Sequence, residues 1–296
     1  MTVAALREAA SQLIHSLRSK LWALGAALIA LAVIIGAGER PMESLDVPPP
    51  ALYEHFAEDR VIEETATPDE STDRYWWVNS GGAVTIAGGV AAGLMGDLGE
   101  ESSWRTRYRA SNPVDTDDGA HPQNLLRLLT RDRWRNERQI AYFRIRGEHH
   151  SQSPNRNASN GVGFYHRYQD SETLYYVGLR VDGQATIKKK INGTYYELAS
   201  APIFAGRYDR EQNPTLIPRD QWFGLIGEVQ DQADGTVIIR MFFDRNRKGA
   251  WRLVAEAHDD GRVGGSAITE PGRGGIRTDF LDVEFDEYRI LTITND

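Results

Sequence analysis

Hydrophobic positions follow two rhythms along this chain. The first is a solid run: residues 21–38 are eighteen consecutive positions without a charge, directly after Arg18 and Lys20. At ~1.5 Å of rise per helical residue this run is roughly 27 Å long, close to the hydrocarbon thickness of a bilayer. The second rhythm has period two. In residues 140–146, Ala141, Phe143 and Ile145 alternate with Tyr142, Arg144 and Arg146. In residues 175–181, Tyr175, Val177, Leu179 and Val181 alternate with Tyr176, Gly178 and Arg180. In residues 185–191, Ala185, Ile187 and Ile191 alternate with Thr186, Lys188 and Lys190. Strands with one buried and one solvated face produce this pattern. Further strands are predicted at residues 161–168, 221–229, 236–243, 251–257 and 280–293. Asp182-Gly183, Asn192-Gly193 and Asp234-Gly235 fall between such runs, and these dipeptides favour tight hairpin turns.

The pattern predicts an all-β domain, a two-sheet antiparallel jelly roll, preceded by an N-terminal transmembrane or signal helix. Its parts are a cytoplasmic N-region and apolar helix at 1–38, a proline-rich linker at 39–51 and the β-sandwich at 52–296. Pro41 and the triple Pro48-Pro49-Pro50 make the linker semi-rigid. Arg7, Arg18 and Lys20 hold the N-region in the cytoplasm under the positive-inside rule. The chain is then a single-pass protein of the cell membrane with its C-terminal domain outside the cytoplasm. Cleavage after Gly36-Ala37-Gly38, a small-x-small pattern, would instead release it as a secreted protein. A buried globular helix is the third reading. Residues 54–70 are acidic, with only Arg60 opposing; they read as a first strand and an exposed loop, or as a short helix at 52–59.

Composition narrows the class further. With 41% hydrophobic and 26% charged residues the chain has an ordinary globular balance. A formal charge of −8 argues against a nucleic-acid partner. Without cysteine there is no disulfide, thiolate nucleophile or cysteine zinc site.

Residues 161–200 read GVGFYHRYQDSETLYYVGLRVDGQATIKKKINGTYYELAS. A strand with Gly163-x-x-x-Arg167-Tyr168-x-Asp170, a tyrosine-rich strand, a lysine-rich strand and an Asn-Gly turn follow one another. This order resembles the core hairpins of the concanavalin A-like lectin/glucanase superfamily, in its laminin G-like branch. Residues 275–279 and 283–290 are similar to the closing strand of such domains, so the resemblance spans about 52–294. It implies a jelly roll with a concave face, in a superfamily that includes sugar-binding modules, glycosidases and lyases. Fold does not choose among those activities.

Several constellations bear on function. If the three alternating strands share a sheet, Tyr142, Arg144, Arg146, Tyr176, Arg180, Lys188 and Lys190 project together. Aromatic rings stack on sugar faces and guanidinium groups grip carboxylates or sulfates, so the expected ligand is a carbohydrate, an anionic one. Its ligand-binding residues are then Tyr142, Arg144, Tyr176, Arg180, Lys188 and His166. A solvated sheet surface is the plain alternative. Asp282, Glu284 and Asp286 fall on one strand face but do not match the Glu-x-Asp-x-x-Glu order of retaining glycosidases in the superfamily; ion pairing with Arg240 or Arg252 is the structural alternative. Tyr142, Arg144, His166, Tyr176 and Arg180 are the residue types a polysaccharide lyase uses to neutralise a uronate, take a proton and protonate a leaving oxygen. Asp115, Asp117 and Asp118, beside Gly119, are candidate ligands for a structural calcium. His149-His150 reads as a surface pair. Asn155, Asn157 and Asn160 form a polar loop before a strand, where binding residues often sit. Of the adjacent Trp76 and Trp77, one faces inward and the other can serve as a platform. The expected function is non-catalytic carbohydrate recognition at the cell envelope, with a lyase or hydrolase, or a protein-adhesion module, as alternatives.

Overall fold

Each alternating strand needs a partner at its edges and a cover for its apolar face. In the computed structural model, which describes residues 50–294, two antiparallel sheets supply both. The predicted anchor at 1–38 and nearly all of the linker lie outside the described residues. Among those described, no helix is long and apolar enough to cross a membrane.

In chain order the strands are β1 (Leu52–Glu54), β2 (Arg60–Glu63), β3 (Trp76–Ser80), β4 (Ala83–Ala87), β5 (Val90–Gly93), β6 (Arg127–Trp134), β7 (Glu137–Glu148) and β8 (Gly161–Asp170). They continue with β9 (Thr173–Arg180), β10 (Gln184–Ile191), β11 (Thr194–Pro202), β12 (Phe223–Asp231), β13 (Val237–Arg245), β14 (Arg252–Asp259), β15 (Gly272–Thr278) and β16 (Leu281–Thr292). The nine-stranded sheet runs β14-β13-β12-β7-β16-β5-β4-β2, with β1 also pairing on β16. The seven-stranded sheet runs β11-β10-β9-β8-β15-β6-β3. The closing strands β15 and β16 each enter the middle of a different sheet, so the last residues complete both layers.

The alternation decides which side is core. Ala141, Phe143 and Ile145 from β7 meet Tyr175, Val177 and Leu179 from β9 in one cluster. Phe143 packs on Phe164 of the opposite sheet with ring centroids 5.6 Å apart. Polar groups also bridge the layers. Gln139 donates to the Tyr165 carbonyl at 2.8 Å and accepts from the Tyr288 hydroxyl at 2.6 Å. Lys189, which the period-two reading puts on the inner face, is fully buried and donates to Asp259 at 2.8 Å.

Two local expectations are corrected. Residues 52–54 pair with β16, so the short helix at 52–59 does not form. The one α-helix among the described residues, α1 (Ser103–Ser111), was unforeseen. Its run of arginines conceals a short apolar face, in which Tyr108 is buried and donates to Glu64.

Candidate functional site

The outer face of the seven-stranded sheet carries the candidate site, and strand register builds it. Lys188 pairs with Tyr176, Tyr176 with Tyr165, Tyr165 with Gly275, Gly275 with Leu129 and Leu129 with Trp77. One row of side chains therefore crosses the sheet from β10 to β3. Trp77, Leu129, Tyr165, Tyr168, Leu174 and Tyr176 form an apolar cluster of their own on this side. Trp76 points into the core instead, as strand geometry requires of adjacent residues. A Cβ at Gly178 would overlap the Tyr176 ring and hydroxyl, so this glycine is what lets the ring lie down on the sheet.

At the β10 end of the row the face deepens into a cavity of about 340 Å³. Its sheet side is made by Tyr165, Tyr176, Lys188, Tyr195 and Arg277, and its wall by Asn155, Asn157 and Asn160. The Lys188 ammonium lies 5.7 Å from the Tyr176 ring centroid and 5.9 Å from that of Tyr195. Its hydrogen-bond partner is the Ser159 carbonyl at 3.4 Å, and it has no carboxylate partner among the described residues. Burial, with Arg180 adding repulsion, lowers the Lys188 pKa. The Tyr176 hydroxyl is buried with no hydrogen-bond partner, and burial raises its pKa well above the ordinary phenol value. Arg277 is paired with Asp279. The cavity therefore offers one cation without a carboxylate, amide groups and the exposed Tyr195 ring, with the Tyr176 hydroxyl buried beneath.

The asparagine wall is held from behind by the aspartates expected to bind calcium. Asp115 accepts from the Ser153 hydroxyl at 2.5 Å and from the Asn155 amide at 2.9 Å. Burial alone would raise the Asp115 pKa, but donors from Ser153, Asn155 and Asn112 outweigh it and hold it low. Asp117 accepts from Ser151 at 2.6 Å and faces His121 Nδ1 at 2.8 Å. Asp118 is exposed. No group of three or more histidine or acidic side chains able to hold a metal is present among the described residues. These carboxylates brace a loop. His149 is also corrected: it is buried, stacked on His121 at 4.2 Å and bonded to Asp282 at 3.0 Å.

The remaining predicted residues lie elsewhere. Tyr142 and Arg144 belong to β7 in the nine-stranded sheet, so they do not share a surface with Tyr176, Arg180 and Lys188. The error has a simple source: period two gives a strand's faces but not its sheet. On that second surface Arg247 covers the Tyr142 ring at 4.6 Å and Arg144 covers Trp222 at 4.6 Å. Arg180, on β9, is held by Asp182 and Glu197. His166 is fully buried between the sheets, with Nδ1 3.1 Å from Glu137. Glu284 pairs with Arg144 and Asp286 with Arg247, rather than with Arg240 or Arg252. The constellation of types suited to a lyase is dispersed, and the cavity's two carboxylates, Asp115 and Asp279, are both engaged.

Sequence reasoning missed Tyr165, Tyr195 and Arg277. In β8, residues Gly161–Tyr168 are buried on both faces, so alternation carries no signal there. Arg277 sits in the segment read as part of the closing strand, but nothing local marks its side chain as lining a site.

No family model matches the chain, and no curated protein matches it. Among solved structures, the chain is similar to the carbohydrate-binding module CBM66 from Bacillus subtilis, at 13% identity and TM-score 0.46, covering 73% of this chain and 95% of that one. It is similar to a protein of unknown function with a galectin-like fold from Bacillus subtilis, at 7% identity and TM-score 0.48, covering 85% and 99%. It is also similar to the exoplasmic/lumenal domain of VIP36 in its Ca2+/Man-bound form, at 8% identity and TM-score 0.42, covering 75% and 84%. At such identities and scores these structures carry nothing about ligand or activity.

Proposed function

We propose that the cavity on the seven-stranded sheet binds a carbohydrate without transforming it, and that the bound sugar is anionic. One observation carries this reading: the half-buried Lys188 ammonium sits between two tyrosine rings with no carboxylate of its own. A uronate carboxylate or a sulfate supplies the missing partner. The asparagine amides suit sugar hydroxyls, and the exposed Tyr195 ring suits an apolar sugar face. A charge-assisted bond of this kind is worth ~1.5–3 kcal/mol, or roughly 10- to 150-fold in affinity.

The test is calorimetric titration with a galacturonate disaccharide and its neutral galactose counterpart. The acidic sugar binds more tightly, and Lys188→Met removes the difference. Equal affinities for the two sugars, unmoved by Lys188→Met, dispose of the anionic ligand. We further propose that this domain works outside the cytoplasm, tethered by residues 21–38; the support is that uncharged run and its basic flank. Recovery of the protein in the soluble cytoplasmic fraction rather than with membranes or medium overturns that placement.

A further inference from the structure

The two sheet surfaces treat their cations differently. On the nine-stranded sheet Arg138, Arg144, Arg146, Arg240, Arg247 and Arg289 are each paired with a carboxylate. On the seven-stranded sheet Arg180 and Arg277 are paired in the same way, but Lys188, Lys190, Arg127 and Arg273 have carbonyl, hydroxyl or ring partners instead. Lys190 donates to the Ser171 carbonyl at 2.7 Å and lies 4.9 Å from the Tyr195 ring centroid. Arg127 donates to the Tyr168 hydroxyl at 3.5 Å, and its Nε is buried with no partner. Arg273 donates to the Thr130 carbonyl at 3.0 Å and lies over Trp77 at 5.6 Å. A protein with a net charge of −8 has acids to spare, yet among the described residues no carboxylate lies within ion-pair distance of these four.

Their positions form a track rather than a point. Lys188 and Lys190 stand on β10, and Arg127 stands on β6, next to Arg277 in register. From β10 to β6 is four inter-strand steps, or about 19 Å at ~4.8 Å each. Tyr165, Tyr168 and Tyr176, each nearly fully buried, lie on the same face between them. We infer that the cavity is one end of a longer site, and that the ligand is an extended polyanionic glycan chain laid across the strands. Successive acidic groups meet Lys188 in the cavity and Lys190 beside it on β10, then Arg273 on β15 and Arg127 on β6. The inference rests on the cavity being a glycan site. It adds that affinity grows with the number of charges, because each neutralised anion releases counterions. Burial, opposed by Glu172 and reinforced by Arg127 and Arg277, lowers the Lys190 pKa, which agrees with a cation crowded by others of its sign.

The experiment uses the full-length chain in non-ionic detergent, titrated with α-1,4-linked galacturonate of two and of six units at several salt concentrations. The six-unit chain binds at least tenfold more tightly than the two-unit one, with a steeper fall in affinity with salt. In the double variant Arg127→Gln/Lys190→Gln the six-unit chain drops to the two-unit affinity, while the two-unit affinity stays. Arg146→Gln, on the paired surface, changes neither. Two-unit binding with no gain for the longer chain, or a gain that survives the double variant, overturns the extended site and leaves the cavity reading intact. Failure of both oligomers to bind overturns the two together. The length and salt dependence is read on the unsubstituted protein, so the test stands even if the double variant does not fold.

Discussion

Lys188 and Lys189 are consecutive on one strand and meet opposite environments, so substituting around each must give different outcomes. Lys189 is fully buried, and donates to Asp259 at 2.8 Å and to the Gly265 carbonyl at 2.6 Å. Asp259 also accepts from the Tyr175 hydroxyl at 2.6 Å and from the Gly261 amide at 3.1 Å. The same hydroxyl accepts from the Ile268 amide at 2.9 Å, so the pair ties the loop after β14 to the seven-stranded sheet. Asp259→Ala leaves an ammonium in the core with two carbonyls for company. Breaking a buried pair in this way costs ~3–5 kcal/mol. In a domain of this size about 1 kcal/mol moves Tm by ~2–4 °C, so a fall of roughly 6–20 °C is expected by scanning calorimetry. Lys189→Met/Asp259→Leu removes both charges and keeps the volume; it regains most of the loss, because apolar replacements of a buried pair are tolerated. A fall of less than about 1 kcal/mol for Asp259→Ala, or a double variant no better than the single one, refutes the reasoning.

Three further outcomes follow from named contacts. Burial, with Glu64 beside it, pushes the Tyr108 pKa from 10.0 up to about 12. The stability this contributes is complete below pH 10 and is lost as pH rises to 12, up to about 3 kcal/mol, and urea melts of Tyr108→Phe do not show that share of the fall. Gly178→Ala drives a methyl group into the Tyr176 ring; it destabilises the domain by ~1–3 kcal/mol and weakens sugar binding, read by calorimetry. The Asp115 pKa is lowered, so its bracing is present above the ordinary carboxylate range and is lost as pH falls through the lowered value. Asp115→Asn keeps one acceptor oxygen but loses the charge that draws the Ser153 and Asn155 donors, and it weakens binding of the acidic sugar at pH 7, read by calorimetry.

The alternation in β7, β9 and β10 made their inward faces legible, and Asn192-Gly193 marked its hairpin because both residues adopt the positive φ that the turn needs. Sheet membership was not legible. The chain passes from β7 to β8 across the sandwich, and nothing in Tyr142 or Arg144 distinguishes the two layers. The site was half visible: Tyr176, Lys188 and the asparagine loop were named, whereas Arg277 comes from a strand paired across long sequence separations. His166 and His149 looked available because a histidine's burial is set by packing from other strands, which no local pattern records.

The unpaired cations also set a direction for stability. Burial lowers the Lys188 pKa, so folding disfavours its charged form at neutral pH, and that penalty is relieved only as pH rises from the lowered value toward 10.5. A neutral residue of similar shape avoids the penalty, while an anion in the cavity offsets it. Lys188→Met therefore raises the Tm of the unliganded protein, or leaves it unchanged, and removes the further rise that an acidic oligosaccharide produces through mass action. The opposite result, a destabilised protein that still gains stability from the acidic sugar, assigns Lys188 to packing and moves the anion elsewhere on the face. A cation kept at a cost to the empty fold makes physical sense where the missing charge arrives with the ligand.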